Sequence, residues 1–209
     1  MVRVAIVAYQ GGVEEHAYML RRASEDTGIG VELVYAKRPD HLGPVDAVVL
    51  PGGESTTIGR LMERMGMLEP LRRLLAEEGV AALGTCAGAA LLARSVRDRV
   101  RGETGQPALA VMDVEVTRNY YGRQRESFEA MVKLRDPTGL APELEEKPFH
   151  GVFIRAPAFT KTWGRAEPMG RLGGVTVAAV QGRMVALAFH PELTRDTRLH
   201  RLLLRLAKK

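Results

Sequence analysis

Apolar runs and amphipathic stretches alternate along the first half of the chain. Four short apolar runs predict strands that are covered on both faces, as strands of a parallel sheet are. The segments between them place apolar residues at helical spacing, and Ser55 or Thr56 is the predicted N-cap of the second helix. The predicted strands are 2–9, 31–35, 46–50 and 80–84, and the predicted helices are 13–28, 55–67, 70–79 and 87–93. This order predicts an α/β fold with a central, mostly parallel sheet flanked by helices.

The second half of the chain has a different pattern, in which short apolar strands are separated by turns. Residues 181–183 predict a hairpin between the last two strands. Residues 135–147 contain two prolines and several acidic side chains, which predicts an exposed connection. The spacing of the leucines between residues 199 and 206 predicts a closing amphipathic helix. The predicted strands are 110–117, 128–134, 152–154, 175–180 and 184–189.

Length and composition predict one domain spanning residues 1–209, with no membrane-spanning run and no secretory signal. The single cysteine excludes an internal disulfide and fits a reducing cytoplasm, where we expect the protein. The formal net charge is +5, but the arginines are interspersed with acidic residues. Only residues 195–209 are distinctly basic, and we interpret them as the solvated face of a terminal helix. We therefore expect neither nucleic acid nor a membrane as a partner.

Cys86 lies in the string GTCAG, between the fourth predicted strand and a small-residue helix. Glycines on both sides allow a sharp turn, and the helix start supplies unpaired N–H groups that favour a thiolate. This is the cysteine form of the nucleophile elbow. The pentapeptide alone is equally compatible with a small buried residue that only packs.

His190 and Glu192 lie in the string FHPEL, directly after the last predicted strand. A nucleophilic thiol needs a base, and the base needs a group that orients it. Taken singly, His190 would be a histidine at a strand end and Glu192 an acid at a helix start. Together with the elbow at Cys86, they predict a Cys-His-Glu triad.

A metal site is not predicted. The HxE spacing at His190 occurs in zinc deaminases, but those sites need two further cysteine ligands. The other histidines, which lie in no metal-ligand spacing, are expected to be structural or surface residues. They are His16, His41, His150 and His200.

The string PGGEST, residues 51–56, follows the third predicted strand. Consecutive glycines let backbone N–H groups point at an oxyanion, and the following helix start reinforces them. It is not a nucleotide-binding P-loop, because the GxxxxGK[ST] frame is absent. Without other features, two glycines here would be no more than a turn.

These strings, in this order, resemble the class I, or triad, glutamine amidotransferases, which have a three-layer, flavodoxin-like fold. Within that class the chain resembles the glutaminase subunits of pyridoxal 5'-phosphate synthase. The narrower resemblance rests on longer strings that span nearly the whole chain. They are QGGVEEH (10–16), PGGESTTIGRLM (51–62), GTCAGAALLA (84–93), RNYYGRQRESFEA (118–130), GVFIRAP (151–157) and FHPELTRD (189–196).

The resemblance implies hydrolysis of L-glutamine to L-glutamate and ammonia through a γ-glutamyl thioester on Cys86, with no cofactor. His190 would transfer protons, and Glu192 would fix its tautomer. The implied oxyanion donors are the backbone N–H groups of Gly53 and Ala87. The glutamine site would be lined by Gly52, Gly53, Glu54, Arg118, Ile154 and Arg155.

The resemblance also implies a partner, because free ammonia is useful only beside an enzyme that consumes it. That partner would be a (β/α)8-barrel synthase subunit that builds pyridoxal 5'-phosphate, and its docking near Gln10 could complete the oxyanion hole. Two other interpretations remain open at this point. The chain could be a glutaminase that serves a different acceptor, or a non-catalytic relative of the fold that binds a ligand or a partner.

Overall fold

The computed structural model describes residues 1–208, so Lys209, the last residue of the basic segment 195–209, lies outside the described residues. The strands in this range are β1 Val2–Val7, β2 Val31–Ala36, β3 Ala47–Leu50, β4 Ala81–Thr85, β5 Ala93–Asp98, β6 Gly102–Glu103, β7 Met112–Arg118, β8 Phe128–Leu134, β9 Phe149–Phe153, β10 Ala158–Thr162, β11 Glu167–Leu172, β12 Val175–Gln181 and β13 Met184–Leu187. The α-helices are α1 Val13–Thr27, α2 Ser55–Arg64, α3 Leu68–Ala76, α4 Ala87–Leu92, α5 Glu143–Glu146 and α6 Arg198–Lys208.

Five parallel strands form the centre of the sheet, in the order β2, β1, β3, β4 and β13. Every residue of β3 and of β4 is buried, as expected of strands that are covered on both faces. The four strands predicted in the first half of the chain are confirmed, with ends that differ by one or two residues. The predicted α/β fold with a mostly parallel central sheet is therefore correct.

Beyond β13 the sheet continues in antiparallel pairs, β13–β12, β12–β10 and β10–β7. The predicted hairpin at residues 181–183 joins β12 to β13, and Gly182 adopts a φ of 57° in its turn. A branch of β11, β8 and β9 extends from β12. The pattern predicted no strand at β5, β6, β10 or β11, since these are short, carry many polar residues and are stabilised by pairing across the sheet.

Helices cover both faces of the sheet and give a three-layer structure. α1 and α6 pack together and against the central strands, while α2 packs against α4, which lies on β3 and β4. The buried leucines of α6 confirm the predicted closing helix. Within residues 1–208, no helix is both long and apolar enough to span a bilayer.

Two local predictions are wrong. The N-cap of α2 is Glu54 rather than Ser55 or Thr56, because its carboxylate accepts hydrogen bonds from the backbone N–H groups of Thr56 and Thr57. The connection 135–147 is not wholly exposed, since it contains α5 and the fully buried Leu144. Arg198, 5% exposed, donates hydrogen bonds to carbonyl groups at both ends of α5, so a buried cation from α6 holds this segment in place.

Candidate active site

The carboxyl ends of four neighbouring parallel strands, β1, β3, β4 and β13, meet at one edge of the sheet. Gln10 follows β1, Gly52 follows β3, Cys86 follows β4 and His190 follows β13. Open α/β sheets bind their ligands at this edge, because the loops that leave adjacent strands converge there. The topology therefore brings together residues that are up to 180 positions apart in the sequence.

Cys86 stands between β4 and α4 with φ 50° and ψ −101°. A positive φ is unusual for any residue other than glycine, and strain of this kind persists only where the surrounding structure enforces it. The backbone N–H of Cys86 donates to the carbonyl of Leu187 at 2.8 Å, which ties the turn to β13. The Cys86 Sγ lies 3.8 Å from the carbonyl oxygen of Ile154. This geometry is that of a nucleophile elbow.

His190 and Glu192 are joined across Pro191, the first residue of a short 3₁₀ turn, Pro191–Leu193, that three residues separate from the end of β13. His190 Nδ1 lies 2.7 Å from Glu192 Oε1, and both residues are buried. Burial alone would lower the pKa of His190, but hydrogen bonds and charge interactions with Cys86 and Glu192 raise it to about 10. Burial would raise the pKa of Glu192, yet its interactions with His16 and His190 lower it, so this carboxyl is ionised at neutral pH.

Gly52 faces the ring of His190. A Cβ atom at residue 52 would lie 2.4 Å from His190 Cε1, closer than any van der Waals contact allows. The loop after β3 can approach the imidazole only because this residue has no side chain.

Gly53 and Glu54 form the next part of the loop after β3. Gly53 has a φ of 138°, which favours glycine. The backbone N–H of Glu54 donates to Gln10 Oε1 at 2.9 Å, so the side chain that follows β1 holds the peptide that follows β3.

Glu54 and Arg118 form an ion pair beside the cavity, with Arg118 Nη2 2.7 Å from Glu54 Oε1. Arg118 also donates to Thr56 Oγ1 and Gln106 Oε1, at 2.6 and 2.8 Å. Partial burial would raise the pKa of Glu54, but hydrogen bonds from Thr57 and Thr56 and the charge of Arg118 lower it to about 2. A carboxylate and a guanidinium thus lie side by side where a zwitterionic ligand could meet both.

A cavity of about 370 Å³ opens at this edge of the sheet, a volume suited to a small ligand. Gly52 and Glu192 do not line it, since they lie behind His190. Asn119 and Gln124, which we did not predict from the sequence, also line it. The predicted site residues that line it are Gln10, Gly53, Glu54, Cys86, Ala87, Arg118, Ile154, Arg155 and His190.

The wall opposite the central strands comes from the second half of the chain. Ile154 and Arg155 follow β9, and Arg155 has a φ of 47°. Arg155 Nη2 donates to Asn119 Oδ1 at 3.4 Å, and Asn119 has a φ of 53°. Two non-glycine residues with positive φ therefore meet at the rim of the cavity. Strained backbone of this kind persists only where tertiary contacts hold it in place.

The four remaining histidines divide into two pairs. His41 and His150 are at least partly exposed, in agreement with the prediction. His16 and His200 are completely buried and lie behind the candidate triad, with His16 Nε2 3.4 Å from Glu192 Oε2. Sequence spacing could not reveal this, because the contact joins α1, α6 and the turn after β13. Among residues 1–208, no three His, Cys, Asp or Glu side chains are grouped as a metal site would require.

Comparisons with known proteins show the family of the chain. The SNO glutamine amidotransferase family matches residues 6–209. A curated relative from Aeropyrum pernix, "Pyridoxal 5'-phosphate synthase subunit PdxT", is 51% identical over 100% of both chains. A relative of the same name from Staphylothermus marinus is 48% identical over 96% of both chains.

Solved structures show the same relationship. A crystal structure of a glutamine amidotransferase superposes with a TM-score of 0.80 at 42% identity, covering 99% of both chains. A glutamine amidotransferase from Thermotoga maritima, 18% identical, has a TM-score of 0.65 over 100% of this chain and 99% of its own, which shows the shared fold. These findings confirm the resemblance inferred from the motifs: the chain belongs to the SNO glutamine amidotransferase family.

Proposed function

We propose that this protein is the glutaminase subunit of a pyridoxal 5'-phosphate synthase and that residues 1–209 form one glutamine amidotransferase domain. It hydrolyses L-glutamine to L-glutamate and ammonia, and passes the ammonia to a (β/α)8-barrel synthase subunit. The observation that carries the enzymatic part is that Cys86 and His190 line the same cavity of amino-acid size, and that His190 is hydrogen-bonded to the buried carboxylate of Glu192. The names of the full-length relatives support the choice of synthase.

The reaction begins at Cys86. His190 takes the thiol proton, and the thiolate attacks the side-chain carbonyl carbon of glutamine. A C–S bond forms, and the carbonyl oxygen becomes an oxyanion. The backbone N–H groups of Gly53 and Ala87 are the proposed donors to that oxyanion. Both residues line the cavity, and the N–H of Ala87, as the first of α4, has no acceptor within its helix.

His190 then donates its proton to the amide nitrogen, the C–N bond breaks, and ammonia leaves a γ-glutamyl thioester. The neutral imidazole next removes a proton from water, which attacks the thioester carbon. Collapse of this second intermediate breaks the C–S bond and releases glutamate, and His190 returns its proton to the Cys86 sulfur. Glu192 accepts a hydrogen bond from His190 Nδ1 throughout, so Nε2 stays directed at the reacting atoms.

Arg118 and Glu54 bind the α-carboxylate and α-ammonium groups of glutamine. A guanidinium suits the substrate α-carboxylate, and a carboxylate suits its α-ammonium group. Their ion pair of 2.7 Å supports this role, because it keeps both charges at one end of the cavity while no substrate is bound. Gly52 lets the loop after β3 approach His190, and Ile154 and Arg155 complete the opposite wall.

Glutamine hydrolysis, measured as glutamate and ammonia released with and without the synthase subunit, tests the proposal. We expect the synthase to increase turnover, and Cys86→Ala to abolish it while binding the synthase as the wild type does. Turnover that the synthase does not change would contradict the proposed partner. No turnover under either condition would contradict the proposed enzyme and favour a non-catalytic relative.

A further inference from the structure

Two fully buried histidines lie directly behind the candidate triad. His16 is on α1 and His200 is on α6, and His16 Nδ1 lies 3.0 Å from His200 Nε2. On its other side, His16 Nε2 lies 3.2 Å from Thr85 Oγ1 and 3.4 Å from Glu192 Oε2. No spacing along the sequence indicates this arrangement, which exists because α1 packs against α6 and α6 packs against β4.

Glu192 uses its two carboxylate oxygens differently. Oε1 accepts from His190 Nδ1 at 2.7 Å, whereas Oε2 is buried and accepts no well-aligned hydrogen bond from residues 1–208. The Nε2 edge of His16 is the group that faces Oε2 at ion-pair distance. A buried carboxylate oxygen without a facing donor would oppose ionisation, so the protonation of His16 Nε2 matters for the charge on Glu192.

The hydrogen-bonding pattern assigns the tautomers of both histidines. If Nε2 of His16 carries the proton, it faces the oxygens of Thr85 and Glu192, and Nδ1 accepts from Nε2–H of His200. If Nδ1 carries it instead, a lone pair of His16 faces the carboxylate, and the proton of His200 lies on Nδ1, which is buried with no partner among the described residues. Buried N–H groups without acceptors are rare, so the first arrangement is the favoured one.

We propose that His16 is a positioning residue: its Nε2–H faces Glu192 Oε2 and holds the carboxylate against His190, and His200 fixes the tautomer of His16. The inference rests on the proposed glutaminase function, in which Glu192 orients His190. His16 does not line the cavity and would touch neither glutamine nor Cys86. Hydrogen bonds of catalytic groups are often long without substrate and shorten in the complex, and the 3.4 Å contact fits that behaviour.

Burial keeps both histidines neutral. The proposal requires this, because His200 donates to His16 and the Nε2–H of His16 faces Glu192. Burial lowers the pKa of His200 to about 3, and burial also lowers the pKa of His16 despite the opposing charge of Glu192. The other charged or titratable groups that act on His16 are His190 and Glu15. A neutral imidazole supplies a donor to Glu192 without adding a full positive charge that would compete with the His190 imidazolium.

A matched pair of variants separates the two edges of His16. The side-chain amide introduced by His16→Gln reaches about as far as the Nε2 atom of the imidazole that it replaces, and so retains a donor toward Glu192. The shorter amide introduced by His16→Asn reaches only about as far as the Nδ1 atom, and so retains only the contact with His200. With the synthase subunit present, we expect His16→Asn to lower kcat about 10- to 100-fold with KM for glutamine within about twofold, and His16→Gln to recover most of the loss. His41→Leu, on the partly exposed histidine remote from this cluster, is the control and should match the wild type.

Alkylation of Cys86 by iodoacetamide provides a readout that needs no turnover. Loss of the donor to Glu192 weakens the orientation of His190, so we expect the pH at half-maximal alkylation rate to rise in His16→Asn and to stay near the wild-type value in His16→Gln. Equal kcat values and equal alkylation profiles for the two variants would overturn the inference. A wild type that alkylates at neutral pH but does not hydrolyse glutamine would instead contradict the proposed function, and the alkylation profiles would still decide the role of His16.

Discussion

At the scale of single residues, the candidate site depends on positions where the backbone must come very close to a reacting group. Gly52 is the clearest case, because His190 occupies the space that a side chain at residue 52 would need. Cys86 is a second case, since its φ of 50° is enforced by β4 and α4 on either side. Gly52 contributes spacing rather than a chemical group, so a substitution there should affect activity more than stability.

Replacement of Gly52 by alanine should displace the His190 ring, since the new Cβ would lie 2.4 Å from Cε1. A shift of about 1 Å in a catalytic group costs about 100-fold in rate. We therefore expect Gly52→Ala to lower kcat/KM for glutamine about 100-fold while the thermal melting temperature falls by only a few degrees. Gly30→Ala is the control, because its Cβ would make only ordinary contacts, the nearest at 3.8 Å. Similar rates for the two variants would contradict this explanation of the glycine.

The raised pKa of His190 predicts a pH dependence of stability. The folded state holds the imidazole proton more tightly than the unfolded chain does, with a pKa of about 10 against 6.5. Its stabilising contribution is therefore complete below pH 6.5, decreases above that value and is absent above about pH 10. Urea unfolding between pH 6.5 and 10.5 should show a larger loss of unfolding free energy in the wild type than in His190→Gln. Parallel curves for the two proteins would be inconsistent with this coupling.

At the scale of elements, the site is built where strands end and helices begin. α2 and α4 both start at the carboxyl edge of the sheet, α2 after the loop that contains Gly53 and α4 directly after Cys86. Their first backbone N–H groups lack intrahelical acceptors, so they are available to a side chain or to developing negative charge. Glu54 accepts such hydrogen bonds at the start of α2 and also pairs with Arg118. The same carboxylate thus stabilises an element and contributes to the site.

Removal of the Glu54 carboxylate should have two separable effects. Glu54→Ala eliminates the N-cap of α2, which should lower the free energy of unfolding by about 1 kcal/mol. It also leaves Arg118 without its ion-pair partner, so we expect KM for glutamine to rise about tenfold or more. Urea denaturation and steady-state kinetics measure the two effects. Glu63→Ala, an exposed position near the end of the same helix, should change neither quantity.

At the scale of the whole molecule, the cavity joins the two halves of the chain. Its floor comes from the parallel strands, and its opposite wall comes from Asn119, Ile154 and Arg155, which follow strands of the antiparallel half. Gln10 connects the end of β1 to the loop after β3 by its bond to the Glu54 N–H. A partner that contacts the rim could therefore change the position of the proposed oxyanion donor at Gly53 through Gln10.

Docking of the synthase subunit should act through this connection. We expect Gln10→Ala to lower synthase-stimulated glutamine hydrolysis about tenfold or more, because the peptide between Gly53 and Glu54 loses the group that holds it. Tyr9→Phe, which removes only a hydroxyl bonded to the Lys37 carbonyl, is the neighbouring control. Glutamate release by each variant, with saturating synthase, gives the comparison. Stimulation that remains complete in Gln10→Ala would exclude a role for this side chain in the response to the partner.

Much of the central sheet could be predicted, because β1, β3 and β4 are apolar on both faces and their sequence pattern is independent of their neighbours. The short strands β5, β6, β10 and β11 could not, since pairing across the sheet, rather than local preference, stabilises them. The cap of α2 was misassigned for a similar reason. Local preference favours serine or threonine, whereas Glu54 also gains the ion pair with Arg118 from β7.

The sequence by itself determined the order of the central elements, the family, and the chemical groups that follow each strand, because these depend on local pattern and on strings of neighbouring residues. Only the tertiary structure decided how those groups meet. It placed His190 against Gly52, paired Arg118 with Glu54, and set His16 and His200 behind Glu192. The physical reason is that contacts between strand ends and between packed helices depend on strand order and burial, which no spacing along the chain encodes.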